Sequence, residues 1–267
     1  MGTKIQRGWT LLGAITRPRY DKYGWLFDAA IRPGSDVIDI GANVGHFSRQ
    51  FCKRVKDGCV YACEPGAYAR SVLEMRATLT GMRNLHVTPF AASDQSGVAV
   101  LYSGTKVSGK YNHTGSSLRP KARWQQRYEE VVTTITVDKL VEVCGITDLS
   151  LIKIDAEGAE RAILDGARHT IATMKPVFVV EVRDKLLTEF GSSKERLWSA
   201  MKRFGYRAFD IESGKLVALP TAIDGPHITF IHGESALLQS GEHAEPAAAS
   251  HGEAEFAASQ SRGGCAG

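Results

Sequence analysis

A glycine-bearing turn follows an apolar stretch near the start of the chain and has the spacing of a ligand-binding turn. Residues 36–40 read as a strand, and Asp39, Gly41, Asn43 and Gly45 lie in it or directly after it. The two glycines let the backbone turn tightly and leave room for a ligand. A helix that starts beyond the turn would direct free N–H groups at that ligand. The segment therefore predicts one end of a nucleotide-type cofactor site at the carboxyl edge of a parallel sheet.

The next two apolar stretches also end in polar residues that suit an adenosine. Residues 59–63 lead to Glu64, which is placed to accept hydrogen bonds from both ribose hydroxyls. Residues 84–88 lead to Ser93 and Asp94, and an ionised Asp94 carboxylate could accept a hydrogen bond from an adenine amino group. Three loops of this kind, in this order, favour a cofactor that contains adenosine.

The glycine spacing and Asp39 favour S-adenosylmethionine over a dinucleotide. The dinucleotide fingerprint needs three glycines in the order Gly-x-Gly-x-x-Gly, whereas this turn has only Gly41 and Gly45. Asp39 would also repel a pyrophosphate in a crevice of low dielectric constant. A zwitterionic ligand with an ammonium group tolerates that carboxylate, and the Asn43 side chain can both donate to and accept from it. An NAD-dependent dehydrogenase is therefore disfavoured.

Residues 151–160 form a fourth informative segment, in which an apolar stretch ends in the sequence DAEGAE. This segment resembles the signature of the FkbM family of S-adenosylmethionine-dependent methyltransferases. The resemblance extends over about residues 33–182 and also takes in residues 37–45, 64–65, 91–94, 115–118 and 136–138, in the family's order. It implies an α/β fold of the Rossmann-like class I methyltransferase type, with a seven-stranded, mostly parallel sheet and helices on both faces. It also implies methyl transfer to a hydroxyl of a sugar, glycolipid or natural product.

The resemblance also implies roles for residues by their position. The acidic residue and the glycines of the first turn would border the methionine part of S-adenosyl-L-methionine. Glu64 would hold the ribose, Asp94 the adenine, and Asp155 would lie beside the methyl group and the acceptor. Together with the polar residues noted above, the predicted cofactor-binding residues are Asp39, Gly41, Asn43, Gly45, Glu64, Ser93, Asp94 and Asp155.

Three carboxylates near the ends of two later strands could serve methyl transfer, in which the protein aligns the reacting groups and accepts the acceptor's proton. The predicted catalytic residues are Asp155, Glu157 and Glu181. Glu157 could instead be a carboxylate at a helix N-terminus, and His113 is a further candidate base or a solvated loop histidine. The three carboxylates could gather around a magnesium ion. Their spacing does not require one, and we expect no metal.

Alternating strands and helices are needed to bring these residues to one sheet edge. Strands are predicted at 36–40, 59–63, 84–88, 98–102, 131–137, 150–154, 177–182, 206–211 and 226–231, the last as an antiparallel hairpin edge. Helices are predicted at 44–55, 67–81, 157–174 and 194–204. This alternation predicts a parallel sheet with right-handed crossovers. The polar, glycine-rich residues 103–130 are predicted to form a long acceptor-binding loop over the site.

Composition divides the chain into three predicted parts. These are an N-terminal helical cap at 1–32, a methyltransferase domain at 33–232, and a disordered tail at 233–267 that is rich in alanine, serine and glycine. The cap carries apolar residues such as Trp9 and Leu12. The simplest interpretation is that these residues pack in the core. Alternatively, the segment could cover the cofactor cleft, form a dimer contact or lie as a helix on a lipid surface.

Charge and cysteine content weigh against several other classes of protein. The net charge of +4 is too small for a dedicated nucleic-acid binder, so we expect no nucleic-acid partner. The five cysteines are odd in number and sparse, which predicts no disulfide framework. Cys59 and Cys63 have no second Cys/His pair that would complete a set of zinc ligands, so no zinc site is predicted. The sequence has no evident secretory signal and no apolar run that could span a membrane, which predicts a cytoplasmic location.

The expected partner is a small-molecule or glycosyl acceptor, and a homodimer is a further option. An amine or an RNA acceptor is an alternative within the same enzyme class. The RNA alternative rests on basic and aromatic residues in one stretch, namely Arg119, Lys121, Arg123, Trp124, Arg127 and Tyr128. A catalytically silent scaffold that still binds S-adenosylmethionine is a second alternative, because its cofactor site would look the same in sequence.

Overall fold

The computed structural model describes residues 4–16, 23–105, 111–121, 124 and 126–239. The helices in chain order are α1 (Lys4–Thr16), α2 (Gly24–Ala30), α3 (His46–Cys52), α4 (Ala67–Thr80), α5 (Val137–Cys144), α6 (Glu160–Asp165), α7 (Arg168–Met174), α8 (Asp184–Glu189), α9 (Lys194–Arg203) and α10 (Ala236–Gln239). The strands are β1 (Asp36–Ile40), β2 (Val60–Cys63), β3 (Leu85–Thr88), β4 (Ala91–Ala92), β5 (Gly97–Thr105), β6 (Tyr111–Ser117), β7 (Arg127–Ile135), β8 (Leu149–Ile154), β9 (Val177–Val182), β10 (Tyr206–Glu212), β11 (Lys215–Leu219) and β12 (Gly225–His232).

The main sheet has the strand order β11-β10-β12-β9-β8-β1-β2-β3. The five strands from β9 to β3 are parallel to one another. Alternate residues of the central strands enter two cores on opposite faces, because successive side chains of a strand point to opposite sides. In β1, Ile38 packs in the core that holds α5, α6, α7 and α9, whereas Val37 packs in the core that holds α2 and α3. The predicted α/β fold with helices on both faces is confirmed.

The sheet has eight strands where seven were predicted, and its last strand is not an edge. β12 lies between β9 and β10 and is antiparallel to both. The edge strand is β11, which pairs with β10 through a two-residue turn at Ser213 and Gly214, both with positive φ. Such turns match the twist of a hairpin. The prediction of β12 as the edge was wrong because its residues 227–231 are buried, as an internal strand requires.

A second sheet occupies much of the stretch that was predicted to be a loop. Its strand order is β4-β7-β5-β6, and β5 pairs with β7 from Gly97–Thr134 to Gly104–Arg127. The prediction of a 103–130 loop was therefore wrong. One face of this sheet is open to solvent, where Val98 and Val131 are exposed. These strands were not recognised in the sequence because they are rich in polar residues, which an antiparallel sheet can place on a solvated face.

The predicted helix at 157–174 is two helices, α6 and α7, which are separated at Gly166 and Ala167. Gly166 lies against the loop that follows β4, and a Cβ at this position would be 2.2 Å from the carbonyl oxygen of Ser93. The Asp138 carboxylate accepts hydrogen bonds from the backbone N–H groups at the start of α7. A close backbone approach and a new helix cap therefore explain the break.

The two N-terminal helices have different surroundings. Leu26 and Phe27 of α2 are fully buried in the core beneath the main sheet. α1 packs on α4, where Thr10 hydrogen-bonds Tyr68. At the other end of the chain, α10 lies inside the predicted tail, and residues 240–267 of that tail lie outside the described residues. None of the described helices is long and apolar enough to cross a membrane.

Candidate active site

A cavity of about 660 Å³ opens at the carboxyl ends of the parallel strands. Its volume is within the range of small-molecule sites, about 300–1,000 Å³. The wall combines the turn after β1, the ends of β2, β8 and β9, one side of α1, and part of the second sheet. The cavity therefore lies where open α/β sheets bind their ligands.

The turn after β1 needs glycine because two backbone segments touch there. Gly41 has φ +69°, and a Cβ on it would lie 1.9 Å from the carbonyl oxygen of Asp155. Asn43 follows with φ +50°, and both residues line the cavity. Gly45 has φ +77° and precedes α3, but it does not line the cavity, and a Cβ there would meet the Leu73 side chain. Gly45 therefore shapes the turn without facing the ligand space.

Glu64 is a buried carboxylate at the end of β2 that faces the cavity. Its Oε2 accepts a hydrogen bond from the Asn43 N–H at 2.8 Å, and its Oε1 accepts one from the Gly66 N–H at 2.9 Å. Burial raises the pKa of Glu64 to about 7, although these N–H groups and the charge of Lys153 oppose the shift. Each carboxylate oxygen keeps a further lone pair, so Glu64 can still accept bonds from a ligand.

Asp39 lies behind the cavity wall, and sequence reasoning missed the residue that connects it to the site. Asp39 is fully buried and accepts a hydrogen bond from Ser48 Oγ at 2.6 Å. It pairs in register with Lys153 of β8, whose Nζ lies 3.3 Å from Asp39 Oδ1. Lys153 does line the cavity. A lysine inside the apolar stretch 151–154 is the signal that could have identified it.

Lys153 connects the buried carboxylate to the glycine turn and to the next carboxylate. Its ammonium donates to the carbonyl oxygens of Ile40 at 3.1 Å and Gly41 at 2.9 Å. It also lies 3.8 Å from Asp155 Oδ2. A buried ammonium needs such partners, because an unpaired charge in the interior is costly. The turn and Asp155 are therefore held by one cation.

Asp155 and Glu181 face the same cavity from the ends of neighbouring strands. Burial and, second, the charge of Asp155 raise the pKa of Glu181 to about 8. Arg183 opposes this shift by donating from Nε to Glu181 Oε1 at 2.8 Å. A group with such a pKa can exchange a proton near neutral pH.

Glu157 is held by the second sheet and is not part of a helix N-terminus. It has φ +54°, and its Oε2 lies 2.5 Å from Nζ of Lys121, whose side chain is only 2% exposed. Ser117 Oγ donates to the Glu157 carbonyl oxygen at 3.3 Å. These contacts fasten the end of β6 and the residues that follow it to the loop after β8. Sequence reasoning did not find the partnership of Glu157 and Lys121, which are far apart in the chain.

Hydrogen bonds to the Glu160 side chain hold the loop after β8 in place. Its buried Oε1 accepts hydrogen bonds from the N–H groups of Ala156 at 2.9 Å and Gly158 at 3.2 Å. Burial raises the pKa of Glu160 to about 7. Glu160 thus supports the backbone that carries Asp155 and Glu157.

The structure does not bring Ser93 and Asp94 to the cavity. Asp94 is exposed and accepts a hydrogen bond from Ser93 Oγ at 3.0 Å. The cavity is lined instead by the preceding residues Phe90, Ala91 and Ala92. The backbone of His113 is part of β6, and its side chain lies outside the described residues. Within the described part of the chain, no group of three or more His, Cys, Asp or Glu side chains is arranged to hold a metal ion.

The donor and acceptor groups of the cavity fit an adenosine-containing cofactor. Glu64 offers a carboxylate with free lone pairs, and Gly41 and Asn43 offer a tight turn that lies against the Asp155 backbone. Phe90, Ala91 and Ala92 supply an apolar wall near this end. No glycine-lined cradle for a pyrophosphate is present in the described turn, which has only Gly41 and Gly45.

Comparison with known proteins gives one family and several distant relatives. The family model described as methyltransferase FkbM domain matches residues 39–208. A 2-O-methyltransferase, NoeI of Sinorhizobium fredii, is 22% identical over 166 residues, which cover 59% of this chain and 67% of that protein.

The solved structures that resemble this chain also have low sequence identity to it. A methyltransferase FkbM from Methylobacillus flagellatus KT is 16% identical with a TM-score of 0.46, covering 85% of this chain and 59% of that one. An O-methyltransferase from Bacillus cereus is 12% identical with a TM-score of 0.45, covering 86% of this chain and 92% of that one. Since the family model matches more than half of its residues, this chain belongs to the FkbM family of S-adenosylmethionine-dependent methyltransferases.

Proposed function

We propose that this FkbM methyltransferase transfers the methyl group of S-adenosylmethionine to a hydroxyl oxygen of a sugar, glycolipid or natural product. The observation that carries the proposal is that Asp155 and Glu181 face one cavity, where burial and, second, the charge of Asp155 raise the pKa of Glu181 to about 8. A weakly acidic hydroxyl needs a group that accepts its proton. The name of the distant relative NoeI, a 2-O-methyltransferase, also describes transfer to oxygen.

The cofactor side of the cavity, defined as Gly41, Asn43, Glu64 and Lys153, would hold S-adenosylmethionine. Glu64 would accept hydrogen bonds from the ribose hydroxyls with its free lone pairs. Gly41 and Asn43 would border the methionine part. Asp39 would act there only through Lys153, because the carboxylate is buried behind the wall. The adenine contact of Asp94 stays a prediction, since Asp94 does not line the cavity.

The acceptor side, defined as Glu157, Glu181 and residues 115–121, would hold the acceptor hydroxyl. When bound, S-adenosylmethionine would supply a methyl group that the acceptor oxygen attacks in line, while the carbon–sulfur bond breaks and S-adenosylhomocysteine leaves as a neutral thioether. Glu181 would receive the proton that the hydroxyl loses, because its raised pKa matches this task near neutral pH. Asp155 would help to orient the hydroxyl between the two sides. Its negative charge also keeps Glu181 basic.

Glu157 would position the acceptor side and would not take a proton. Its carboxylate is held by the Lys121 ammonium in an ion pair at 2.5 Å, so it is directed at that cation and away from a hydroxyl proton. The ion pair fastens residues 115–121 over the cavity, and residues 115–118 line it. Glu157 would therefore shape the pocket for the acceptor through Lys121.

The basic stretch that suggested an RNA acceptor is largely engaged within the protein. Lys121 is buried against Glu157. Arg127 pairs with Glu129 at 3.2 Å, and Arg119 lies over the ring of Phe190. Arg123 lies outside the described residues. This arrangement favours a small acceptor over a nucleic acid.

The proposal is tested with a panel of sugars, glycolipids and natural-product alcohols, with amines and an RNA for comparison. Release of S-adenosylhomocysteine is followed for each compound. We expect turnover with a hydroxyl compound. Glu181→Gln should then lower kcat by about a hundredfold to ten-thousandfold while S-adenosylhomocysteine still binds.

Glu157→Gln is the matched control, because it also replaces one carboxyl group of the acceptor side by an amide. We expect it to raise KM for the acceptor more than it lowers kcat. Turnover only with amines or RNA would overturn the proposed acceptor class. Unchanged kcat in Glu181→Gln would remove Glu181 as the proton acceptor.

A further inference from the structure

Helices α1 and α4 expose an unusual number of large apolar side chains. Among the described residues, seven large apolar side chains are exposed, and four of them lie on these two helices. We define the docking face as these four: Trp9, Leu12, Met75 and Leu79, which are between 47% and 70% exposed. Such a concentration marks an interaction surface more often than scattered single residues do.

The four side chains lie on two helices that pack against each other. On α4, Met75 and Leu79 follow Tyr68 and Val72 at helical spacing and share their face. α1 packs on this face at Tyr68 and Val72, and Thr10 hydrogen-bonds Tyr68. Met75 and Leu79 therefore extend the covered face into solvent. Trp9 and Leu12 are three residues apart on α1 and lie on its exposed side.

The docking face also borders the mouth of the cavity. Trp9 is 70% exposed and yet lines the cavity together with Thr10, Gly13 and Ala14. An indole has an apolar body and a polar N–H, so Trp is enriched where apolar and aqueous phases meet. Whatever binds the docking face would therefore lie beside the entrance to the active site.

The net charge of the chain is concentrated in the segment that contains α1. The first 20 residues contain four basic residues, Lys4, Arg7, Arg17 and Arg19, and no acidic residue. The other 29 basic residues of the chain are balanced by its 29 acidic residues. The whole net charge of +4 thus belongs to the segment that includes α1. Basic residues in the same segment as an exposed apolar helix face are typical of helices that lie on anionic lipid.

We propose that the docking face binds an anionic lipid surface and thereby places the cavity mouth at the membrane. This inference rests on the proposed function and narrows it to an acceptor that the membrane presents, such as a glycolipid. A second copy of the chain fits less well, because two such faces would bring like charges together. Lipid insertion of the two helix faces would instead bury the apolar side chains and pair the basic residues with head groups.

Sedimentation with vesicles tests this inference on the full chain without any turnover. Two lipid compositions are compared: phosphatidylcholine alone, and phosphatidylcholine with about a third phosphatidylglycerol. We expect binding to the anionic vesicles only, and weaker binding at high salt, because the charges near the surface are screened. The double variant Leu12→Ala/Leu79→Ala should bind these vesicles about tenfold more weakly or worse.

The matched control is Val98→Ala/Val131→Ala, which removes two exposed apolar side chains from the second sheet. It should bind vesicles like the unaltered chain. Calorimetry with S-adenosylhomocysteine should give equal affinity for both double variants, which shows that they fold. No binding of the unaltered chain to anionic vesicles, or an equal loss in the control, would overturn the inference. So would a change from dimer to monomer in Leu12→Ala/Leu79→Ala with vesicle binding unchanged, which would identify a dimer interface.

These results are separable from those for the proposed function. Vesicle binding without turnover of any hydroxyl compound would leave the docking face supported and the acceptor class contradicted. Turnover of a soluble hydroxyl compound without vesicle binding would support the acceptor class and overturn the docking face.

Discussion

On the cofactor side of the cavity, charges are held by the main sheet itself, whereas on the acceptor side they link separate layers. Lys153 pairs with Asp39 across neighbouring strands, and both side chains are fully buried. Glu157 pairs instead with Lys121, which lies in the connection between β6 and β7 of the second sheet, and the Glu157 side chain is 22% exposed. The cofactor side is thus built into the core, and the acceptor side is fastened onto it.

This difference predicts that substitutions on the two sides of the cavity have different consequences for stability. Changing the cofactor side disturbs buried charges and touching backbones, so it costs stability as well as binding. Changing the acceptor side alters contacts between a sheet and a loop, which leaves the main sheet intact. The following changes test this contrast, from the largest expected effect to the smallest.

Lys153→Met should be the most damaging change, because it leaves the Asp39 carboxylate buried without a cation. We expect a loss of about 3–5 kcal/mol in the free energy of unfolding. Urea denaturation measures it. The double variant Asp39→Asn/Lys153→Met should recover part of this loss, since no buried charge is left unpaired. A double variant that is less stable than Lys153→Met would contradict the proposed pairing.

Gly41→Ala should abolish much of the cofactor affinity, because its Cβ would lie 1.9 Å from the backbone oxygen of Asp155. Gly81→Ala is the matched control: Gly81 has φ +66° but open space around it. We expect Gly81→Ala to cost about 1–2 kcal/mol of stability from its conformation alone and to leave S-adenosylhomocysteine affinity unchanged. Gly41→Ala should cost more stability and lower that affinity at least about tenfold. Equal effects of the two variants would contradict the role of the close approach.

Glu64→Gln should weaken S-adenosylhomocysteine binding by about 1.5–3 kcal/mol, as expected for hydrogen bonds to a charged group. The pKa of Glu64 is raised to about 7, and ribose hydroxyls that donate to it would favour the ionised form. Binding should therefore release a proton, and affinity should rise from about pH 6 to about pH 8.

Calorimetry at several pH values measures this dependence. Glu64→Gln should show a flat profile over the same range, because its side chain does not titrate. A pH-independent affinity of the unaltered chain would argue that the ribose is held elsewhere.

Lys121→Met should have the smallest effect on the fold, because the partly exposed Glu157 can regain water when its partner is lost. We expect a loss of about 1 kcal/mol in the free energy of unfolding and no change in S-adenosylhomocysteine affinity. Acceptor KM should rise once a substrate is in hand. A loss of stability as large as that of Lys153→Met would contradict the claim that the acceptor side contributes less to the stability of the fold than the cofactor side.

The cofactor side was largely predictable because its signals are local in the chain. The strand and glycine turn at 36–45 and the acidic residue after β2 are each read within about ten residues. The structure places Gly41, Asn43 and Glu64 on the cavity wall. The buried position of Asp39 was not readable, because it depends on the register with Lys153, 114 residues further along the chain.

The acceptor side was less predictable because its contacts are not local. β6 is composed mostly of polar residues and β7 has polar residues at its exposed positions, so the apolar periodicity of these strands is weak. The break between α6 and α7 depends on how closely Gly166 approaches the Ser93 backbone, which local helix propensity does not reveal. The pairing of Lys121 with Glu157 likewise requires the second sheet to be in place.

Transfer of a carbon-13-labelled methyl group tests the central claim most directly. The protein is incubated with S-adenosylmethionine labelled in its methyl group and with the acceptor found in the panel, and the product is examined by NMR. We expect the labelled carbon to be bonded to an oxygen of the acceptor, and this signal to be lost in Glu181→Gln. A label bonded to nitrogen or carbon would contradict the proposed hydroxyl acceptor and the role of Glu181 as its proton acceptor.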